Sequence, residues 1–163
     1  MIKQFIPQEI CLKCQSCCRF SQQDSIWSPA LLNEEVQGLL KNRIPPLVIS
    51  PNKRIRLTHL SGQSNLFCSF FNLQDNKCKI YALRPFECQL YPFLINRKGK
   101  KVFLALDLHC PFVEKKLKTQ EFKEYVLYLT DFLNDSPQAE ILKNNPQIIQ
   151  AYSEALDLEE LKI

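Results

Sequence analysis

The chain has 163 residues, of which 45% are hydrophobic and 23% charged, with a net charge of +4. That is the profile of one ordinary globular domain with an appendage, far from the disordered range. The positive excess does not imply a nucleic-acid partner: it counts eight cysteines as neutral, whereas a zinc ion or a 4Fe–4S cluster on four thiolates carries about −2 by charge counting. The N-terminal MIKQFIPQEI lacks the apolar stretch of a secretory signal, and no apolar run reaches bilayer length. A reducing cytoplasm is therefore the expected compartment, with no membrane partner, and there eight cysteines point to metal rather than to disulfides.

The first informative stretch is Cys11–Cys18, CLKCQSCC, with four thiols in eight residues. A C-x2-C step turns the backbone back on itself and aims two sulfurs at one centre. Repeating it from Cys14 to Cys17 brings in a third, as in the triple run of bacterial ferredoxins. Cys18 adjoins Cys17, and neighbouring side chains diverge, so the spacing sends these two to different centres or roles. Free cysteine also packs as a small hydrophobe, but four among Lys13, Gln15, Ser16 and Arg19 do not make a core pattern.

Further along, Ser28-Pro29 reads as an N-cap with proline at the first helical position, opening a helix over 29–41 with Leu31, Leu32, Val36, Leu39 and Leu40 on one face. Pro45 and Pro46 end it. Alternation in 53–60 suggests a half-exposed strand. The segment 65–81 reads as a β-hairpin around Gln74-Asp75-Asn76, with Cys68 and Cys78 on its arms. YALRPFEC makes a helical turn broken at Pro85. A second hairpin runs through YPFLIN and VFLALDL, with the basic tip Arg97-Lys98-Gly99-Lys100-Lys101 as a solvated turn, and delivers His109, Cys110 and Pro111. Residues 119–134 carry Phe122, Val126, Leu129 and Leu133 at helical spacing, and Ser136-Pro137 and Asn145-Pro146 read as further helix starts. The fold expected is α+β. A cysteine-cluster metal-binding domain, 1–113, has two short hairpins and a flanking helix, and a helical C-terminal segment, 114–163, packs on it.

Eight thiols suffice for two four-ligand sites, or for one site with thiols to spare. Cys68, Cys78 and Cys88 are spaced by nine intervening residues each, so the hairpin and the turn after it can converge their sulfurs. Cys110-Pro111 repeats the Cys-Pro pair that ends the ferredoxin signature and makes Cys110 a distant ligand candidate. His59 reads as structural; His109, beside Cys110, is a candidate for ligation or for supporting a ligand. No Ser/His/Asp arrangement, P-loop or G-x-G-x-x-G is present to support hydrolase, NTPase or dinucleotide chemistry.

Taken together, Cys11-x2-Cys14-x2-Cys17-Cys18-Arg19, Cys68, Cys78-Lys79-Ile80-Tyr81-x2-Arg84-Pro85-x2-Cys88 and Tyr91-Pro92-Phe93 resemble the CxxCxxCC zinc- or iron-chelating family, the YkgJ-type cysteine-cluster proteins. The resemblance spans about 11–93, reaches toward Cys110 and leaves the tail outside. It implies a small metal-binding protein with no assigned reaction; a related cysteine arrangement occurs in the larger flagellin lysine methylases. Two positions depart from the pattern: Gln15 stands where the family often has glycine, restricting the loop's backbone angles, and Gln89 where it often has arginine, removing a cation from the centre. Neither loses a ligand. Arg84 reads first as a structural group bonding backbone carbonyls in an aromatic turn; with Arg19 it is also the candidate cofactor-contacting cation.

The expected metal ligands are Cys11, Cys14, Cys17, Cys18, Cys68, Cys78, Cys88 and Cys110. An iron–sulfur cluster, such as 4Fe–4S, or iron is favoured by the triple spacing, because closed zinc sites more often use two separated C-x2-C pairs. Zinc is the alternative. Two classes of function follow: a cluster protein in electron transfer or an oxidoreductase-like reaction, with a redox partner protein, or a non-catalytic zinc-stabilised interaction module.

Overall fold

A computed structural model describes residues 2–14, 16–60 and 62–163; the expectation for Gln15 lies outside them. The fold is α+β, with short helices and small antiparallel sheets in two compact units, 1–89 and 90–163. Among the described residues no helix is long and apolar enough to cross a membrane.

In the first unit Pro7 precedes a one-turn helix α1, Gln8–Cys11, and a 3-10 turn, Ser16–Cys18, runs into strand β1, Arg19–Phe20. The helix expected over 29–41 is shorter: α2 spans Asn33–Lys41. Residues 28–31 are committed elsewhere. Ser28 donates its hydroxyl to the Ile55 carbonyl at 2.5 Å instead of capping a helix, Ile55 N–H bonds the Pro29 carbonyl, and Leu31 N–H bonds that of Lys53. Leu31 is thereby fully buried, and the N–H of Leu32, left open by the late start, is taken by Glu35 three residues on.

The 53–60 segment is regular strand only at β2, Leu57–His59, because 53–56 pair with residues 29–31 and 48–50. β2 and β1 flank β3, Leu66–Cys68, in a three-stranded antiparallel sheet. The single hairpin expected over 65–81 is divided between two sheets. Ser69 breaks the run, its N–H and its hydroxyl both bonding the Arg56 carbonyl, at 3.2 and 2.6 Å. The tight hairpin is then β4, Phe71–Asn72, against β5, Lys77–Cys78. Its turn is built by Asn72 and Asp75, whose side chains accept main-chain N–H groups two residues on, and by Asn76 at φ 56°. Cys78 stays on an arm; Cys68 belongs to the other sheet. Phe20, Leu31, Leu39, Ile55, Phe67 and Phe71 form the core here, with Phe67 and Phe71 stacked at 5.4 Å. A 3-10 turn, Tyr81–Leu83, and helix α3, Phe86–Leu90, follow on either side of Pro85.

The second unit holds longer elements. β6, Phe93–Lys98, and β7, Lys101–Leu106, form the expected hairpin, in register from Phe93/Leu106 to Lys98/Lys101. Gly99 supplies the positive φ of 60° that opens its two-residue turn. After a short helix α4, Pro111–Glu114, helix α5 spans Gln120–Asn134, capped by the Thr119 hydroxyl on Phe122 N–H, with Phe122, Tyr125, Val126, Leu129 and Leu133 buried. α6, Ser136–Lys143, starts at the Ser-Pro pair.

Two expectations for the tail are corrected. Asn145-Pro146 opens only a 3-10 turn, Pro146–Ile148, and the last stretch is a strand, β8, Leu156–Leu161, beside β7. Tertiary pairing overrides the helical pattern because the acidic residues of the tail match the basic hairpin. Asp157 ion-pairs with Lys98 and accepts from the buried Asn96 at 2.7 Å, and Glu160 pairs with Lys101 at 2.6 Å. The ends of the basic tip are thus neutralised by β8.

Candidate metal centre

The cysteines arrive on different elements. Cys11 ends α1, Cys14 lies in the turn after it, and Cys17 and Cys18 sit in the 3-10 turn before β1. β1 pairs Arg19 with Phe67, each the chain neighbour of a cysteine, Cys18 and Cys68. Cys78 is opposite Phe71 on the hairpin, and Cys88 is the third residue of α3. None of the eight cysteines forms a disulfide.

Five of them share one neighbourhood. Cys18 is held far above the usual thiol range, first by a hydrogen bond to the Cys17 sulfur and by burial, then by the fields of Cys17, Cys68 and Cys88. Burial pushes Cys68 up to about 12, with Cys78 and Cys17 adding to it. Cys88 is raised well above the thiol range, by burial first and then by Cys68, Cys17, Glu87 and Cys78. Cys78 is raised by burial and by Cys17. Cys17 is therefore felt by Cys18, Cys68, Cys78 and Cys88 alike. The spacing argument separates it from Cys18, but the fold brings the two together, because the 3-10 turn keeps both at the same end of β1.

Opposing contributions favour the thiolate form. Main-chain N–H groups of Phe70 and Phe71 bond the Cys68 sulfur, and that of Ile80 bonds Cys78. The Arg84 guanidinium lowers Cys78, and it is fixed 4.3 Å over the Tyr81 ring and on the side-chain amide oxygen of Gln4 at 2.5 Å. Gln89 donates its amide to the Arg84 carbonyl, bracing the same turn. Arg19 stacks over Phe67 at 5.5 Å.

These features suit a bound cation. Crowded, desolvated thiols cannot ionise together on their own charges, whereas a metal replaces their protons and repays the repulsion. N–H groups already directed at sulfur are the donors that tune thiolate-held metals. Among the described residues, no three Cys, His, Asp or Glu side chains are gathered closely enough to hold a metal ion; the thiols are neighbours rather than a closed coordination shell.

The Cys14 thiol bonds the Ser16 hydroxyl at 3.5 Å, and the field of Cys11 reaches Tyr81. Cys110 is buried at the start of α4 in the second unit. His59 ends β2, exposed and paired through its backbone with Leu66. His109 is exposed, its Nδ1 2.8 Å from Asp107, which also accepts the Tyr91 hydroxyl at 2.8 Å and the His109 N–H at 2.9 Å. Sequence reasoning missed Asp107, and also Glu35 and Glu87. Glu35 carried a faint signal, an acid in the first turn of a helix; the partners of all three are set only by the fold.

An α+β unit that draws thiols toward one neighbourhood from four separate elements suits thiolate metal binding. The chain belongs to the CxxCxxCC family (putative zinc- or iron-chelating domain), whose model matches residues 10–111, and this membership supports metal binding by the chain. No solved structure matches it.

Proposed function

We propose that this chain holds an iron–sulfur cluster through Cys17, Cys18, Cys68, Cys78 and Cys88, with Cys11, Cys14 and Cys110 as further ligands, and that it works as an electron carrier or in an oxidoreductase-like reaction with a redox partner protein in the cytoplasm. The observation that carries the reading is the position of Cys17 as common neighbour of four other thiols. An all-sulfur donor set suits both iron–sulfur clusters and zinc. The ferredoxin-type C-x2-C-x2-C run and the main-chain N–H groups directed at Cys68 and Cys78 support the cluster. Arg84 offsets negative charge beside Cys78; Arg19 is placed as a cation next to Cys18 in the chain.

The test is anaerobic purification followed by metal analysis and a visible spectrum. A brown protein with iron and acid-labile sulfide is expected. Colourless protein with stoichiometric zinc would assign the same thiols to a structural zinc module with no redox role.

A further inference from the structure

Two carboxylates beside the thiols are left unused by that reading. The two oxygens of Glu35 serve two helices: Oε2 accepts the Leu32 N–H at 2.8 Å, at the start of α2, and Oε1 accepts the Phe86 N–H at 2.5 Å, the first residue of α3. Glu87, the next residue of α3, reaches the opposite way, its Oε2 accepting the Ala30 N–H at 2.6 Å. The segment around residues 30–35 and the start of α3 are therefore joined twice, by hydrogen bonds of opposite direction between parts of the chain 51 and 57 residues apart. Arg54 reinforces the arrangement by donating to the carbonyls of Ile26 and Ser28.

α3 needs this support. It has five residues, too few to persist on propensity, since helix nucleation is costly and short helices are marginal. Its leading N–H groups have no partner within the helix. Pro85 offers no N–H, so Phe86 N–H is the first donor to satisfy, and a carboxylate there also complements the helix dipole. Cys88 lies two residues beyond Phe86 and one beyond Glu87.

We infer that Glu35 and Glu87 form a reciprocal clasp whose role is to position Cys88 among the other thiols. The inference rests on the metal reading only for its consequence: with the clasp intact, Cys88 reaches the centre already placed, and without it the sulfur must be ordered at the expense of binding. Glu35 and Glu87 are positioning residues that act through Cys88.

Two measurements on the whole 163-residue chain test this. In metal-free protein, site-resolved alkylation by iodoacetamide should label Cys88 faster in Glu35→Ala than in wild type, with Cys14 unchanged and with Glu34→Ala behaving as wild type. An unchanged Cys88 rate overturns the clasp. In the second, Co2+ affinity should fall about tenfold in Glu35→Ala, the scale expected for a group that orients a ligand. The same substitution in a Cys88→Ser background should change it less than about twofold, since the two act as one unit. Equal losses in both backgrounds overturn the proposal by showing a general structural effect. If Glu35→Ala fails the circular-dichroism test for folding, Glu35→Gln, which keeps one acceptor, serves in both arms with smaller changes in the same directions. Faster alkylation of Cys88 without any Co2+ binding by wild type would leave the clasp standing and sink the metal reading.

Discussion

The two units of this protein are stabilised by different means. Residues 90–163 build six-residue strands and a fifteen-residue helix around aliphatic and aromatic side chains, with Leu104, Leu106, Leu129, Leu133 and Leu142 fully buried. Residues 1–89 have strands of two or three residues, helices of four to nine, and long connections tied by side chain to main-chain bonds. Hydrophobic burial can hold the first kind of structure by itself, at roughly 25 cal/mol per Å2 of apolar surface. In the second kind, thiols occupy volume that a core would give to leucine, and the short elements leave more of the stability to metal binding. The difference separates a scaffold from a ligand-dependent fold.

The sharpest way to break that contrast is to remove the metal. Chelation should cost residues 1–89 far more than residues 90–163, because binding energy at thiolate sites, of order 10 kcal/mol for zinc peptides, is itself folding energy. Two-dimensional NMR should show broadened, poorly dispersed amides for the first unit and retained dispersion for β6, β7 and α5. A cooperative melt of the whole chain that survives complete metal removal would contradict it.

Next in size are the thiols themselves. Cys17→Ser and Cys68→Ser should empty the centre, and Cys88→Ser should weaken it, since each removes a member of the shared neighbourhood. Cys14→Ser, whose thiol is bonded to Ser16, should leave at least about half the metal, by the count of four thiolates per site. Metal analysis of the four variants decides this; equal losses from Cys14→Ser and Cys17→Ser would show that the whole loop acts as one ligand set.

The mirror experiment is in the second unit. Leu129→Ala should destabilise the protein by about 2–5 kcal/mol, the usual cost of a core cavity, with metal content per folded molecule unchanged. Denaturant melts and metal analysis on one preparation measure both. A loss of metal in proportion to stability would mean that the units do not differ as described.

The second unit was also the more legible one in sequence. The β6–β7 hairpin and α5 were readable because alternation and 3.6-residue spacing coincide there with the actual burial. β8 was not, since LDLEEL pairs with β7 through Asp157 and Glu160 and its partner lies some fifty residues away. In the first unit seven cysteines could be named as ligand candidates from spacing, as could Cys110 in the second. The grouping of Cys17 with Cys18, Cys68, Cys78 and Cys88 could not, because it depends on the β1–β3 register and on the break at Ser69, both of which are long-range choices. The late start of α2 has the same origin: Ser28 is an acceptable cap in isolation, and the Ile55 carbonyl competes for its hydroxyl only in the fold.

The smallest effect expected concerns the strand that was missed. Burial alone would raise the Asp157 carboxyl, but hydrogen bonds from Lys98 and Asn96 outweigh it and hold the group below the ordinary aspartate value, which is about 3.9. A depressed carboxyl contributes stability that is fully present above that ordinary value and is lost as the pH falls through the folded one. Asp157→Asn removes this contribution and leaves a carboxamide that still accepts from Asn96. Because Lys98 is mostly exposed, the loss near neutral pH should stay below about 1 kcal/mol. The difference in melting temperature between wild type and Asp157→Asn should therefore be small and constant from pH 7 down to about 4.5, and should close below about pH 4 as the wild-type carboxylate protonates. Thermal melts across that range measure it. No difference at any pH would mean that β8 is held by its apolar contacts alone.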